Sequence, residues 1–157
     1  MNGIEMKETL LIQKMSGGAV RATSEWGIEV TSNPLYPRGL EVKDLPSNNW
    51  HDEHGLDEYI PDVLPVKEYT ITIGLVYRGQ PYTGAAQVED FLSFLTNGGS
   101  NRIYSTRLRQ GRQDVRFKSF ERSGAMIDSG CDDVIIFTIT MQVNDPITNI
   151  TLEQSNG

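Results

Sequence analysis

The chain has 157 residues and a mass of 17.6 kDa, a length that fits one domain with a core of its own. Hydrophobic residues make up 38% and charged residues 22%, which lies outside the composition of disordered chains. The net charge of -7 argues against a protein that coats nucleic acid with its whole surface, because phosphate binding depends on Lys and Arg. We therefore expect a single folded domain over residues 1–157.

Few residues are available for catalysis or metal binding. The one cysteine, Cys131, cannot form an internal disulfide, and a catalytic relay would have to use His51 or His54. The N-terminal residues lack the uninterrupted apolar segment of a signal peptide, and no stretch approaches the roughly 20 apolar residues that cross a bilayer. These features predict a cytosolic protein that is not an enzyme and has no cofactor and no membrane contact.

The charges are unevenly distributed along the chain. Residues 1–100 carry a net charge of -7, residues 101–122 carry +5, and residues 123–157 carry -5. Half of all Lys and Arg therefore lie in one short stretch, Arg102–Arg122, which we call the basic segment. It lies between two acidic regions, and this asymmetry is the main compositional signal of the sequence.

The first half of the chain predicts strands separated by a long loop. A short apolar run indicates a strand over Glu8–Gln13, and a second strand is expected over Trp26–Thr31. Five prolines predict an irregular loop over about residues 33–65, with at most an edge strand near Leu40–Lys43. Strict alternation of apolar and polar residues then predicts a strand over Lys67–Arg78.

The second half predicts one helix followed by three strands. Thr83 is a candidate N-cap, and the apolar residues after it have helical spacing over about residues 84–97. Those apolar residues are Val88, Phe91, Leu92 and Leu95. Two polar strands, Arg102–Leu108 and Asp114–Glu121, suit a hairpin that turns at Gln110–Arg112. Asp133–Val143 is apolar on both sides, which is typical of a central strand covered on both faces.

These elements predict an α+β fold that is mostly antiparallel β, a β-sandwich or barrel-like sheet with one flanking helix. A flexible tail is expected over about residues 149–157. The acidic stretch His51–Glu58 combines two histidines with four carboxylates, but its histidine spacing of i and i+3 differs from the i and i+4 pair of helical zinc sites. We expect no functional metal there and interpret it as a solvated or interface-forming loop.

The basic segment has three interpretations: a contact with nucleic acid, an ordinary solvated face, or a contact with an acidic surface on another copy. The interleaved rings of Tyr104, Phe117 and Phe120 favour nucleic acid, although Phe117 belongs to the apolar face of its strand. A concentrated acidic region, Glu41–Glu68, favours contact between copies. The candidate interface residues are Arg102, Arg107, Arg109, Arg112 and Arg116 on one side and Asp52, Glu53, Asp57 and Glu58 on the other.

Residues 45–148 resemble the tail proteins of bacteriophages and prophages. The resemblance is carried by the alternating strand, the helix ending in Phe91-Leu92-Ser93-Phe94-Leu95, the hairpin and the closing strand. In the hairpin it includes Arg102-Ile103-Tyr104 and Arg112-Gln113-Asp114-Val115-Arg116, and after the last strand it includes Val143-Asn144-Asp145-Pro146. The chain is most similar to the distal tail and tail-tube group, especially in phages of the Bacteroidetes, where segments like Asp52–Pro61 also occur.

The resemblance implies a non-enzymatic structural subunit whose copies close into a ring, commonly a hexamer, around the tail channel. It implies that the partners are other copies and other tail proteins, that the protein is made in the bacterial cytoplasm and ends in the virion, and that the only nucleic acid it meets is DNA passing through the channel. Two alternatives remain open from the residues. One is a small ligand- or nucleic-acid-binding β-module that uses the basic segment, and the other is a hydrolase built around His51 and His54.

Overall fold

Nine strands and one α-helix form in the part of the chain that the computed structural model describes, residues 9–32, 35, 39–48, 54–127 and 132–153. The strands before the helix are β1 (Leu10–Lys14), β2 (Gly17–Ala22), β3 (Ile28–Ser32), β4 (Ser47–Asn48), β5 (Asp57–Glu58) and β6 (Tyr69–Gly79). The helix is α1 (Gly84–Thr96), and it is followed by β7 (Asn101–Ser105), β8 (Gln110–Ile127) and β9 (Asp133–Val143). The predicted α+β class, mostly antiparallel β with one helix, is confirmed.

Seven of the strands form one antiparallel sheet in the order β2-β1-β7-β8-β9-β6-β3, while β4 and β5 pair separately as a small ribbon. The sheet is open, so the expected barrel-like closure is wrong. Its edge strands are β2 and β3, and β3 has only five residues with an irregular register between Val30 and Ser32. Short, bulged strands of this kind end a sheet because they offer a poor template for further pairing.

The main core lies on one face of this sheet. Along β6, the buried residues Ile71, Ile73 and Leu75 alternate with the exposed Thr70 and Thr72, as the sequence pattern predicts. The helix adds Val88, Phe91 and Leu95, and β9 adds Phe137, Ile139, Met141 and Val143. The predicted apolar face of the helix is therefore confirmed, with Leu92 only partly buried at its margin.

The start of α1 is held by a residue from a distant strand. The hydroxyl group of Thr83 does not cap the helix, because it donates to the carbonyl oxygen of Gln80 at 2.5 Å. The backbone N–H of Gly84 donates instead to Oδ2 of Asp133, at 2.9 Å. A carboxylate at this position satisfies a free N–H group and interacts favourably with the positive end of the helix dipole. The expected cap by Thr83 is thus replaced by a contact that ties the helix to β9.

The β7–β8 hairpin turns earlier than expected. The turn comprises residues 106–109, and Gln110–Arg112 already belong to β8. Gly111 lies within β8, and the C-terminal segment crosses it closely. Its N–H donates to Oδ1 of Asn149 at 2.8 Å, and a Cβ atom would collide with the carbonyl oxygen of Ile150. The glycine therefore allows two backbone segments to approach closely. From the sequence alone, such a glycine cannot be told from one that forms a turn.

The predicted long loop contains little regular structure. The expected edge strand at Leu40–Lys43 is reduced to one bridge between Val42 and Val66, flanked by a hydrogen bond from the N–H of Lys43 to the carbonyl oxygen of Pro65 at 2.9 Å. Pro65 lacks a donor of its own, which limits a longer ladder here. The ribbon of β4 and β5 is the other regular element among the described residues of this loop.

The opposite face of the sheet is covered only in part. Leu11, Ala22, Tyr104 and Leu152 form a second apolar cluster, so the C-terminal segment packs on this face as far as Leu152. Residues 154–157 of the expected tail lie outside the described residues. The strand β9 is interior, as predicted, because it pairs with both β8 and β6. Its expected burial on both faces is wrong, since Ile136, Thr138 and Thr140 remain partly exposed.

Candidate interaction surface

The turn between β7 and β8 presents two of the five candidate arginines to solvent. Arg107 and Arg109 are both exposed within residues 106–109. Ser105 holds the turn: its carbonyl oxygen accepts from the N–H of Arg109 at 2.8 Å, and its hydroxyl oxygen accepts from the N–H of Leu108 at 3.2 Å. Arg109 has a φ of 55°, so the turn projects its side chain from a left-handed backbone position.

Two further arginines flank this turn on the strands. Arg116 is exposed on β8, and its Nη2 donates to Oε1 of Gln142 at 3.2 Å. Arg102 on β7 is partly buried, and its Nη1 lies 3.3 Å from Oε1 of Gln13 and 3.4 Å from the carbonyl oxygen of Lys14. Arg102 therefore binds to the neighbouring strand β1, whereas Arg116 is accessible to solvent and to partners.

Arg112 is the exception among the candidate interface residues, and its assignment to an interface is wrong. Its side chain is 1% exposed and lies inside the fold. The guanidinium donates to the hydroxyl oxygen of Tyr69 at 3.0 Å, to the carbonyl oxygen of Gly111 at 2.6 Å and to that of Leu35 at 3.4 Å. A buried charge requires such acceptors to offset lost hydration, so Arg112 links the hairpin to β6 and to Leu35 rather than to another molecule.

The exposed cations of the basic segment form no ion pair with a carboxylate of the described residues. Within the ranges that the structure describes, no carboxylate lies within 4 Å of the five exposed cations. These are Arg107, Arg109, Arg116, Lys118 and Arg122. Neutralisation within one chain, which would have removed the reason for an intermolecular contact, is therefore not observed among the described residues.

The acidic side of the predicted interface is described only in part. Asp57 and Glu58 form β5, where both side chains are exposed while the backbone pairs with β4. Asp52 and Glu53 lie outside the described residues. The structure thus places two of the four candidate carboxylates on an exposed ribbon, and it does not bring them to the basic segment of the same chain.

Another acidic residue of this region is already paired. Nζ of Lys67 lies 2.8 Å from Oε2 of Glu41; the Glu41 side chain is largely exposed and the Lys67 side chain only partly. The hydrogen bond from Lys67, and then its charge, hold the pKa of Glu41 below its usual range, and the same contact raises the pKa of Lys67. Glu41 is therefore a less suitable partner for the basic segment than Asp57 and Glu58.

The aromatic residues of the basic segment do not form an exposed stacking surface. Tyr104 is 7% exposed and belongs to the second apolar cluster, and Phe117 is partly buried against the main core. Phe120 is 39% exposed, and its ring packs 5.3 Å from that of Phe137. Single-stranded nucleic acid binds several successive exposed rings, so this arrangement gives the nucleic-acid interpretation less support than the sequence pattern does.

Only part of the stretch His51–Glu58 belongs to the described residues. His51 lies outside them, as does Cys131, while His54 is exposed and forms no hydrogen bond with a described residue. No group of three or more His, Cys, Asp or Glu residues in the described part could hold a metal ion. The expectation that no functional metal binds at His51 and His54 therefore stays a prediction.

Two buried polar groups were not anticipated from the sequence. Nζ of Lys14 is buried without a hydrogen-bond partner among the described residues and lies 4.8 Å from the centre of the Phe94 ring. Burial lowers the pKa of Lys14 because it disfavours the charged amine. Asn101 is fully buried, and its amide nitrogen donates to the carbonyl oxygens of Leu95 and Val115, each at 3.3 Å. Asn101 thereby connects the end of α1 to β8.

No helix among the described residues has both the length and the apolar character required to cross a bilayer. No protein-family model matches the sequence, and no curated protein is significantly similar to it. The exposed basic and acidic surfaces are therefore the features from which a function can be proposed.

Proposed function

We propose that this chain is a non-enzymatic structural subunit of a phage-like tail, in the tube or as a distal tail or baseplate adaptor, and that it acts by assembling with its own copies into a ring. The observation that carries the proposal is the set of exposed cations on β8 and the β7–β8 turn, which have no carboxylate partner among the described residues. The exposed carboxylates of β5 offer a complementary patch on the same chain. Two different patches on identical copies make heterologous contacts, which close into rings or extend as filaments.

The tail assignment rests on the resemblance over residues 45–148, and the open antiparallel sheet with one helix is compatible with it. On this proposal the subunit reaches the virion after synthesis in the bacterial cytoplasm, and its partners are further copies, in a hexamer or another ring, together with other tail proteins. DNA would pass through the channel of such a ring without being bound by sequence. Nothing in this role requires a catalytic residue or a cofactor.

The buried position of Arg112 changes the proposed interface. Arg112 and the partly buried Arg102 stabilise the subunit itself, so the basic side of the contact comprises the exposed cations. These are Arg107, Arg109 and Arg116, joined by Lys118 and Arg122. Exposed ion pairs contribute little affinity individually, and they select orientation while apolar contact or strand pairing supplies most of the binding energy.

The proposal predicts that charge reversal on the basic side weakens assembly without unfolding the subunit. The variant Arg107→Glu, Arg109→Glu, Lys118→Glu should self-associate roughly tenfold or more weakly at low salt, because three favourable contacts become repulsive. Sedimentation velocity over a range of concentrations measures this effect, and circular dichroism checks the fold.

A matched pair of single variants controls for net charge. Arg109→Glu and Lys43→Glu change the net charge equally, and both side chains are exposed. Only Arg109→Glu should weaken association, because Lys43 lies in the acidic region. If the triple variant assembles as well as the parent at low and high salt, the basic segment is an ordinary solvated face. If the parent stays monomeric and binds single-stranded DNA through these cations, the binding-module alternative replaces the proposal.

A further inference from the structure

The strand β8 has a long edge without a partner among the described residues. It extends from Gln110 to Ile127, but β7 pairs with it only as far as Val115. Its other edge pairs with β9 from Val115 to Ile127. Beyond Val115, one edge of β8 therefore has no neighbouring strand in the described chain, and its residues 118–123 are exposed. Such an edge presents backbone N–H and carbonyl groups that can pair with another strand.

The chemistry of this edge disfavours a second copy of itself. Lys118 and Arg122 would face like charges in an edge-to-edge pair, and cross-strand like charges are destabilising. The register of β8 against β9 is also irregular between Phe117 and Ser119 and between Arg122 and Gly124. Bulges and positive charges protect an edge from unspecific pairing. The edge is therefore suited to a short, acidic strand.

A segment with those properties lies elsewhere in the chain. Residues 54–64, which we call the strap, carry three carboxylates and five apolar side chains, all of the latter exposed by 42–83%. The carboxylates are Asp57, Glu58 and Asp62, and the apolar residues are Leu56, Tyr59, Ile60, Val63 and Leu64. The pairing of β5 with β4 uses one edge of the strap, where the N–H of Tyr59 also donates to the carbonyl oxygen of Pro46 at 2.9 Å. A concentration of exposed apolar residues of this kind marks an interaction site.

We propose that the strap of one copy adds as an antiparallel strand to the free edge of β8 in a neighbouring copy. This inference rests on the proposed function, and it identifies strand addition as the contact that accompanies the charge pairing. Residues Leu56–Ile60 provide the strand, and pairing ends at Pro61 because proline has no N–H to donate. Five residues are an ordinary strand length.

The side chains favour one register. Phe120 lies opposite Ile139 and Arg122 lies opposite Phe137, so both project from the core side of β8. Glu58 and Ile60 share one face of an extended strap, because side chains alternate along a strand. An antiparallel register that places Ile60 opposite Phe120 also places Glu58 opposite Arg122. It covers the exposed part of the Phe120 ring with an apolar side chain and pairs opposite charges in the same step.

Disulfide crosslinking between two single-cysteine chains tests this register. Both chains carry Cys131→Ser, one also carries Glu58→Cys, and the other carries Arg122→Cys and a size tag. Residues directly opposite in an antiparallel pair have Cα atoms about 4.5–5.5 Å apart, which a disulfide can span. After mixing and mild oxidation with copper phenanthroline, the mixed dimer should form at least roughly tenfold faster than in a matched control mixture.

The control mixture replaces the Glu58→Cys chain with a Val63→Cys chain. Val63 is 83% exposed but lies five residues along the strap, about 16 Å away in an extended chain. Equal rates in the two mixtures would overturn strand addition. A chain with both Glu58→Cys and Arg122→Cys that forms only an internal disulfide would overturn it too, because the strap would then pair with its own β8.

The failure of this inference can be separated from the failure of the proposed function. If the parent forms oligomers in mass photometry while the two mixtures crosslink equally slowly, ring assembly stands and strand addition by the strap is wrong. If the parent is monomeric and neither mixture forms dimers above the level of random collision, both are wrong. Fast crosslinking of the Glu58 and Arg122 chains alone supports strand addition, even where oligomers dissociate at the low concentrations of mass photometry.

Discussion

Replacement of Phe91 with alanine is expected to lower the free energy of unfolding by about 3–5 kcal/mol. Phe91 is 1% exposed on the core face of α1, and its ring centre lies 5.2 Å from that of Trp26 in an edge-to-face arrangement and 6.4 Å from that of Phe137. The substitution leaves a cavity between helix and sheet and removes two aromatic contacts. Equilibrium unfolding in urea measures the loss.

Ser93→Ala is the matched control for this prediction, because Ser93 lies on the exposed side of the same helix. Its cost should stay within about 0.5 kcal/mol. If Phe91→Ala destabilises the protein no more than Ser93→Ala does, α1 does not pack on the sheet through this face, and the arrangement of the core around Trp26 and Phe137 is incorrect.

Loss of the buried Arg112 side chain is expected to have the second large effect on stability. Arg112→Ala should cost about 2–5 kcal/mol, because it leaves a cavity and removes the donors that satisfy the carbonyl oxygens of Gly111 and Leu35 and the hydroxyl group of Tyr69. Unsatisfied buried acceptors each cost about 1–3 kcal/mol. Chemical unfolding monitored by tryptophan fluorescence gives the value.

Arg116→Ala provides the comparison, since Arg116 lies on the same strand with its side chain exposed. We expect a change within about 0.5 kcal/mol for Arg116. Similar costs for the two arginines would contradict a structural role for Arg112. The two variants also separate stability from assembly, because Arg116→Ala should affect association while leaving the subunit stable.

The regular elements could be predicted from the sequence where periodicity was strong. The bounds expected for β9, Asp133–Val143, are those observed, and β6 was displaced by at most two residues from Lys67–Arg78. Alternation of this kind directly reflects burial on one face of a sheet. The strand β2, Gly17–Ala22, was missed, because its glycines resemble a loop and its pairing with β1 depends on the hairpin rather than on its own composition.

The candidate interface was harder to predict, because exposure depends on partners far along the chain. Arg112 lies in a polar stretch of the sequence, which predicts an exposed cation. Its acceptors, Tyr69 and Leu35, lie 43 and 77 residues away in the sequence, so no local pattern reveals its burial. Arg107 and Arg109 are exposed because they lie in the turn between β7 and β8, whereas the sequence pattern places Arg107 in a strand. Likewise, the free edge of β8 results from the shortness of β7, which no pattern within β8 itself reveals.

Sedimentation velocity of the unmodified protein, combined with negative-stain electron microscopy, tests self-assembly most directly. The proposed role predicts a species of defined multiple of 17.6 kDa that grows with concentration, weakens as salt screens the basic segment, and appears as closed rings. A single species of monomer mass at every concentration, at both low and high salt, would contradict the assignment of this chain as a ring-forming subunit.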